Sequence, residues 1–267
     1  MRTIAHLSDL HFGTEDACVV EGLLADLAAL APDLVVVSGD LTQRAREAQF
    51  ERARDFLARI DAEKLVVPGN HDIPLWDVFR RLTQPLARYR RHIGGEEVPW
   101  FFDGEVAAAG IATPRRNLWK EGRVSTGDIR LVRERFCALP DEVLKVLVTH
   151  HPFVPKDGTG GVMPLARGER ALDVLGACGA DLLLSGHQHV GRQGLLSAYY
   201  PDVAHSILVV EAGTAVSRRH RGEPNTFNRI AVDGPHVAVE VRGWDGARFL
   251  GRDTARFEHR GGRWERA

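Results

Sequence analysis

A chain of 267 residues with 44% hydrophobic and 27% charged residues has the composition of a soluble globular protein with a sizeable core. Its 35 Lys plus Arg nearly balance 36 Asp plus Glu, which excludes a global electrostatic attraction to nucleic acid or to a membrane surface. No apolar run approaches the roughly 20 residues that span a bilayer, and Met1-Arg2-Thr3 runs straight into the first strand pattern, so a cytoplasmic protein without a signal sequence is expected.

Taken in order, the first apolar stretch, Ile4 to Ser8, ends in Asp9 and His11. Helical spacing from Val19 to Leu30 is stopped by Pro32, and Leu34 to Ser38 then reads as a buried parallel strand ending in Gly39-Asp40. A second amphipathic helix, residues 44 to 60, leads to a strand at Leu65 to Val67 and the loop Gly69-Asn70-His71-Asp72. This β-α-β-α-β alternation belongs to parallel sheets, whose ligands gather at the carboxyl ends of the strands.

Residues 74 to 93 read as one helix, followed by Trp100 to Phe102 and Val106 to Ile111 around an Asp103-Gly104 hairpin turn, expected as the last strands of the first sheet. The polar stretch 113 to 123 is long for an idle loop, and precedes a helix from 128 to 139. The strand Val146 to Thr149 delivers His150 and His151; a Gly-rich loop from 152 to 164, a helix from 167 to 178 and the strand Leu182 to Ser185 follow, delivering Gly186-His187-Gln188-His189. Short strands with turn signals are expected at 194–200, 206–211, 227–232 and 237–241, with edge strands in the tail. The simplest arrangement is a single domain over 1–267, with halves 1–125 and 126–267, built as an α/β four-layer α-β-β-α sandwich of two mixed sheets flanked by helices. Cys18, Cys137 and Cys178 lack ligand spacing and read as reduced, partly buried thiols. Residues 207 to 211 and the Phe227 strand are the candidate edges for a homodimer.

Carboxylates, imidazoles and a carboxamide converging on one site suit Mn²⁺, Fe²⁺/Fe³⁺ or Zn²⁺. Asp9-Leu10-His11, Gly39-Asp40, Gly69-Asn70-His71-Asp72, His150 and Gly186-His187-Gln188-His189 resemble, in order, the five motifs of the calcineurin-like metallophosphoesterases. The resemblance implies a dinuclear metal centre. One metal would take Asp9, His11 and His189, the other Asn70, His150 and His187, and Asp40 would bridge them. It also implies attack on phosphorus by a metal-bridging hydroxide, with His71 beside the phosphate as transition-state stabiliser or general acid and Asp72 as the partner orienting it.

The fuller strings His6 to Gly13, Gly39 to Thr42, Val67 to Asp72 and His150-His151-Pro152, with Ala212 to Ala215, Arg218 to Arg221 and Asn225 to Asn228, look like the bacterial class III cyclic-nucleotide phosphodiesterases. That implies a small phosphodiester substrate; a nuclease, a nucleotide-sugar pyrophosphatase or a phosphomonoesterase shares the same core and stays open. A non-catalytic scaffold of the same fold is disfavoured, because every ligand and His71 are present. Asn70 and His71 are candidate substrate contacts. Arg115, Arg116 and Lys120 are candidates to pair with phosphate and Trp119 to stack on a base; a solvated loop is the competing reading. His6 reads as structural, His151 as shaping the turn at Pro152, and the run Arg218 to Arg221 as solvated surface, with contact to a longer nucleic acid the competing reading.

Overall fold

The computed structural model describes residues 1–155, 164–201, 203, 205–219 and 222–267. Strands β1 (Arg2–Leu7), β2 (Leu34–Ser38) and β3 (Glu63–Val67) lie parallel and adjacent, linked by helices α1 (Ala17–Leu30) and α2 (Glu47–Ala58). Asp16 caps α1 by accepting the Cys18 N–H at 3.0 Å, and Ala31 leaves the helix at φ 45° just before Pro32. The helix expected over 74 to 93 is two short helices, α3 (Val78–Thr83) and α4 (Ala87–His92), because Pro85 lacks an N–H to carry the ladder through.

The second sheet begins earlier than expected. Strands β4 (Trp100–Phe102) and β5 (Val106–Gly110) form the predicted hairpin, with Asp103 Oδ1 accepting the N–H groups of Glu105 and Val106 at 2.9 Å each. However, β5 pairs in parallel with β6 (Leu144–Val148) rather than extending the first sheet. After α5 (Thr126–Phe136), β6, α6 (Gly168–Gly176) and β7 (Ala180–Ser185), the chain adds β8 (Arg192–Leu195) and β9 (Leu208–Glu211). The strand expected over 194 to 200 stops at Leu195, where residues 196–198 turn as a 3₁₀ helix. Strands β10 (Thr226–Asp233), β11 (His236–Trp244), β12 (Phe249–Arg260) and β13 (Arg263–Arg266) then return to the first sheet.

The strand orders are β13-β12-β11-β10-β1-β2-β3 and β4-β5-β6-β7-β9-β8. Both β9 and β10 are therefore interior, flanked on each side, and the dimer edges expected from residues 207 to 211 and from Phe227 do not exist. Between the sheets, Ile4, Val36, Leu65, Val146, Leu184 and Val210 share one buried core. The alternate residues point outward. Ala5, Val35 and Val37 meet α1 and α2 through Leu23 and Phe50, while Leu147, Leu183 and Val209 meet α5 and α6 through Val132 and Leu172. Two sheets, each apolar on both faces, with helices on both outer sides give the α-β-β-α sandwich. The cysteine expectation needs correcting: Cys137 and Cys178, at the ends of α5 and α6, form a disulfide across a Cα separation of 4.7 Å, and only Cys18 is free. The covering of one outer face brings the two helix ends together, a proximity that residue spacing alone does not reveal. Among the described residues no helix is long and apolar enough to cross a membrane.

Candidate metal centre

The ligand candidates lie in the turns just after β1, β2, β3, β6 and β7, and the turns from the two sheets meet. The loops after β1 and β2 are tied by Asp9 N–H to Gly39 O at 3.1 Å and His11 N–H to Asp40 O at 2.9 Å. Gly186 permits the approach from the second sheet, because a Cβ there would lie 1.8 Å from Ser8 Oγ and 2.7 Å from Asp9 Oδ2. Asp9, His11, Asp40, His187 and His189 all adopt positive φ, between 47° and 71°. Non-glycine residues enter that region at a cost, and such strain clusters where side chains must be aimed at a site.

Each of the two carboxylates is held by one oxygen and aims the other. Asp9 Oδ2 accepts the Ser8 hydroxyl at 2.7 Å and the His187 N–H at 3.0 Å, leaving Oδ1 buried without a hydrogen-bond partner, 3.3 Å from His189 Nε2 and 3.5 Å from His11 Nε2. Asp40 Oδ1 accepts the His71 N–H at 2.8 Å, while Oδ2 lies 3.7 Å from His11 Nε2 and 3.4 Å from His150 Nε2. Asn70 Oδ1 sits 3.1 Å from His150 Nε2 and 3.0 Å from His187 Nδ1. The structure thus brings all seven sequence candidates into two sets that meet at Asp40.

The far ring nitrogens fix the tautomers. His150 Nδ1 donates to Ser38 O at 2.8 Å and His189 Nδ1 to Arg219 O at 3.0 Å, so both Nε2 atoms face the cluster as lone pairs. Lone pairs facing lone pairs at these separations repel unless a cation or a proton lies among them. Donors about 2.1 Å from one metal stand about 3.0 to 3.4 Å apart around it, close to the 3.3 to 3.5 Å found in the first set and the 3.0 to 3.3 Å in the second. The donor set therefore fits a metal. Without one a proton takes its place: burial opposes the charged form of His150, yet Asp40, Asp9 and the Ser38 carbonyl push its pKa up to about 9. Burial, reinforced by His150, drives His187 down to about 4. Asp9 and Asp40 are buried as well, but the facing imidazoles hold both carboxyls well below the usual range.

His71 stands at the rim of the cluster, its ring edge-on to His11 with centroids 4.9 Å apart. Its Nδ1 donates to Gln43 O at 2.9 Å, so Gln43 rather than Asp72 orients the ring. Asp72 instead buckles the loops together. Its carboxylate accepts four hydrogen bonds, from the N–H groups of Gly69, Leu41 and Thr42 and from the Thr42 hydroxyl, at 2.8 to 3.1 Å. Burial and the Asp40 charge still raise its pKa to about 6.

Sequence reading did not place Arg219 among the site residues. Its guanidinium donates to Gln43 Oε1 at 3.0 Å and lies 3.4 Å from His71 Nε2, bringing a cation to the edge of the site. It belongs to the basic run read as solvated surface, of which His220 and Arg221 lie outside the described residues. The only signal in the sequence is that run, which begins three residues past Ala215. Arg115, by contrast, spends its donors on Ala112 O, Pro114 O and Asp128, and Arg116 on Leu82 O. Trp119 is exposed and carries the Arg81 guanidinium over its ring at 4.5 Å. What the loop brings beside the metal ligands is Lys120, Glu121 and Gly122, which line a cavity with His151 and His187. His6 is fully buried against Ser38 Oγ at 2.9 Å, a packing residue as expected.

The family comparisons agree with this geometry. The sequence model described as calcineurin-like phosphoesterase matches residues 2–191. A probable cyclic nucleotide phosphodiesterase of Synechococcus is 27% identical over 198 residues, 70% of this chain and 73% of its own. A glycerophosphodiester phosphodiesterase of Enterobacter lignolyticus is 34% identical over 80 residues, 26% of this chain and 29% of its own. Among solved structures, a dimetal phosphatase from Danio rerio superposes with a TM-score of 0.65 at 13% identity, covering 94% of this chain and 98% of that one. A purple acid phosphatase from yellow lupin gives 0.67 at 12% identity, covering 95% and 53%. With the model match spanning most of the chain and all five motifs, the chain belongs to the calcineurin-like phosphoesterase family.

Proposed function

We propose that the chain, acting as one catalytic unit, is a dinuclear-metal-dependent phosphodiesterase that hydrolyses a small phosphodiester such as a 3′,5′-cyclic nucleotide. The observation that carries this reading is the position of Asp40 Oδ2, 3.7 Å from a nitrogen of one ligand set and 3.4 Å from a nitrogen of the other. Asp9, His11 and His189 would hold one ion, Asn70, His150 and His187 the second, and Asp40 both. When bound, the ions supply Lewis-acid charge against the phosphoryl oxygens and acidify the attacking water. The chain's own residues do the rest. Backbone carbonyls lock the tautomers of His189 in the first set and His150 in the second, His71 presents Nε2 to the phosphate, and Arg219 adds a positive charge beside it. The named activity of the Synechococcus relative supports the diester over the monoester.

The test is reconstitution of the purified chain with Mn²⁺, Zn²⁺ or Fe²⁺, followed by metal analysis and hydrolysis of bis(p-nitrophenyl) phosphate beside p-nitrophenyl phosphate. Two ions per chain with faster turnover of the diester is the expected result. Faster turnover of the monoester would make the protein a phosphatase, and bound metal without turnover of either would make it a scaffold.

A further inference from the structure

Helix α3 and the loop that follows β5 carry an apolar platform that the metal centre does not use. On α3, Val78, Phe79 and Leu82 share a stripe about 100° wide, the width of the face that a surface helix turns to its core. Here the stripe faces solvent. Val78 is 54% exposed, Phe79 80% and Leu82 49%, with Trp76 at 81% just before the helix and Trp119 of the loop at 55%. Aromatic side chains bury about 150 to 250 Å² each, so these three aromatics alone leave roughly 300 to 550 Å² bare. That fills the range of about 300 to 600 Å² for the largest patch on a monomer, and Val78 and Leu82 carry it further.

Arg81 holds this platform together. It lies on the other side of α3, only 3% exposed, and donates to Pro74 O at 3.0 Å, to Arg116 O at 2.9 Å and to Leu118 O. Its guanidinium covers the Trp119 ring, 4.5 Å from the centroid. Arg116 returns a bond to Leu82 O at 3.1 Å. A buried cation with three carbonyl partners fixes helix and loop in one arrangement, so the apolar side chains are held outward on a rigid frame. A surface ordered in advance loses little entropy when something docks on it.

A standard interface takes about 800 Å² from each partner, and homodimer interfaces are about 65% apolar, which asks for about 500 Å² of apolar surface per chain. The platform offers that area. Its surrounding charges have both signs: Asp77 pairs with Arg80 at 3.4 Å, and Arg116 and Lys120 share the loop with Glu121. A membrane surface selects a cationic excess, whereas mixed charge suits a patch that meets its own copy across a two-fold axis. We infer that α3, Trp76 and Trp119 form the interface of a homodimer, occupied by the same platform of a second copy of this chain. The inference is independent of the phosphodiesterase reading. It gives the long loop after β5 a docking role, and because Lys120, Glu121 and Gly122 line the cavity beside His151 and His187, it sets the second copy near the rim of the site.

The test is analytical ultracentrifugation of the full chain from nanomolar to tens of micromolar concentration. Wild type should sediment as a species of twice the 29.5 kDa chain mass. Phe79→Glu, which puts a charge at the centre of the stripe, should raise the dimer dissociation constant by at least about thirtyfold, the worth of one interface hot spot. Circular dichroism checks that the variant is folded; if it is not, Trp76→Ser replaces it with the same expected shift. A wild type that stays monomeric throughout overturns the inference. Sedimentation of that monomer with vesicles of phosphatidylcholine and phosphatidylglycerol would assign the platform to a membrane instead. A dimer whose dissociation constant is unmoved in the folded variant places the interface on another face and also overturns it.

Discussion

His150 Nε2 lies 3.4 Å from Asp40 Oδ2 while its Nδ1 donates to Ser38 O at 2.8 Å, so a residue of the second sheet is aimed at a carboxylate of the first by a carbonyl of the first. The two sheets therefore meet through this pair of residues as well as through their apolar faces. The orientation survives only while the loop glycines stay glycine. At Gly39, φ is +93° and a Cβ would come within 2.8 Å of three His150 ring and Cβ atoms. Gly39→Ala should lower metal affinity with little change in overall helix and strand content. Calorimetric metal titration beside circular dichroism checks this; unchanged affinity would contradict it.

His71 stands at the edge of the cluster with its Nδ1 donating to Gln43 O, and the proposed function gives it a role beside the phosphate rather than as a ligand. A metal-replete His71→Ala enzyme should keep both ions and lose about 10²- to 10⁴-fold in kcat, the usual worth of a positioned acid or base. Full activity would remove His71 from the chemistry.

Arg219 contributes a positive charge 3.4 Å from His71 Nε2. Burial is the main cause lowering the His71 pKa, with His11 and Arg219 adding to it against Asp40. Removing the guanidinium in Arg219→Met should therefore raise that pKa. The limb of the pH–rate profile that disappears in His71→Ala should move to higher pH. A limb that stays in place would show that Arg219 does not act on His71.

Asp72 holds the β2 and β3 turns together through four hydrogen bonds. Asp72→Asn sets an amide against N–H donors. It should destabilise the fold by about 2 to 4 kcal/mol in denaturant unfolding, and weaken metal binding through Asp40, Leu41 and Asn70. Stability within about 0.5 kcal/mol of wild type would contradict the buckle.

Much of this was legible in the sequence, and the residues that were not share a cause. Asp9, Asp40, Asn70, His150 and His187 each follow an apolar run at the end of a parallel strand, where local sequence and topology agree. Arg219, Gln43 and the Cys137–Cys178 pair depend on which distant segments pack together, and period-two or helical spacing carries no such information. The assignment of β5 to the second sheet failed for the same reason: Val106 to Ile111 is as apolar as β1, and hydropathy does not say which partner an all-buried strand takes. Arg115 misled because its chemistry suits phosphate, whereas its neighbours Ala112, Pro114 and Asp128 occupy its donors.

His6 gives the fold a pH dependence. Burial pushes its imidazole down to about 3 from an ordinary 6.5, Asp9 opposing only in part. The unfolded chain takes up this proton below about pH 6.5 and the folded chain does not. The stability is thus fully present above that pH and falls as pH drops toward 3, by up to about 1.4 kcal/mol per pH unit. Unfolding of the metal-free protein should show this acid limb, and His6→Gln should make it shallower by about one proton. An unchanged slope would contradict the assignment.

The most direct measurement is the metal content and diesterase activity of Asp40→Ala beside wild type, both reconstituted with Mn²⁺. The account predicts two ions per chain in the wild type, and loss of at least one ion together with hydrolysis of bis(p-nitrophenyl) phosphate in the variant. Two retained ions with full activity in Asp40→Ala would contradict a centre built around that carboxylate.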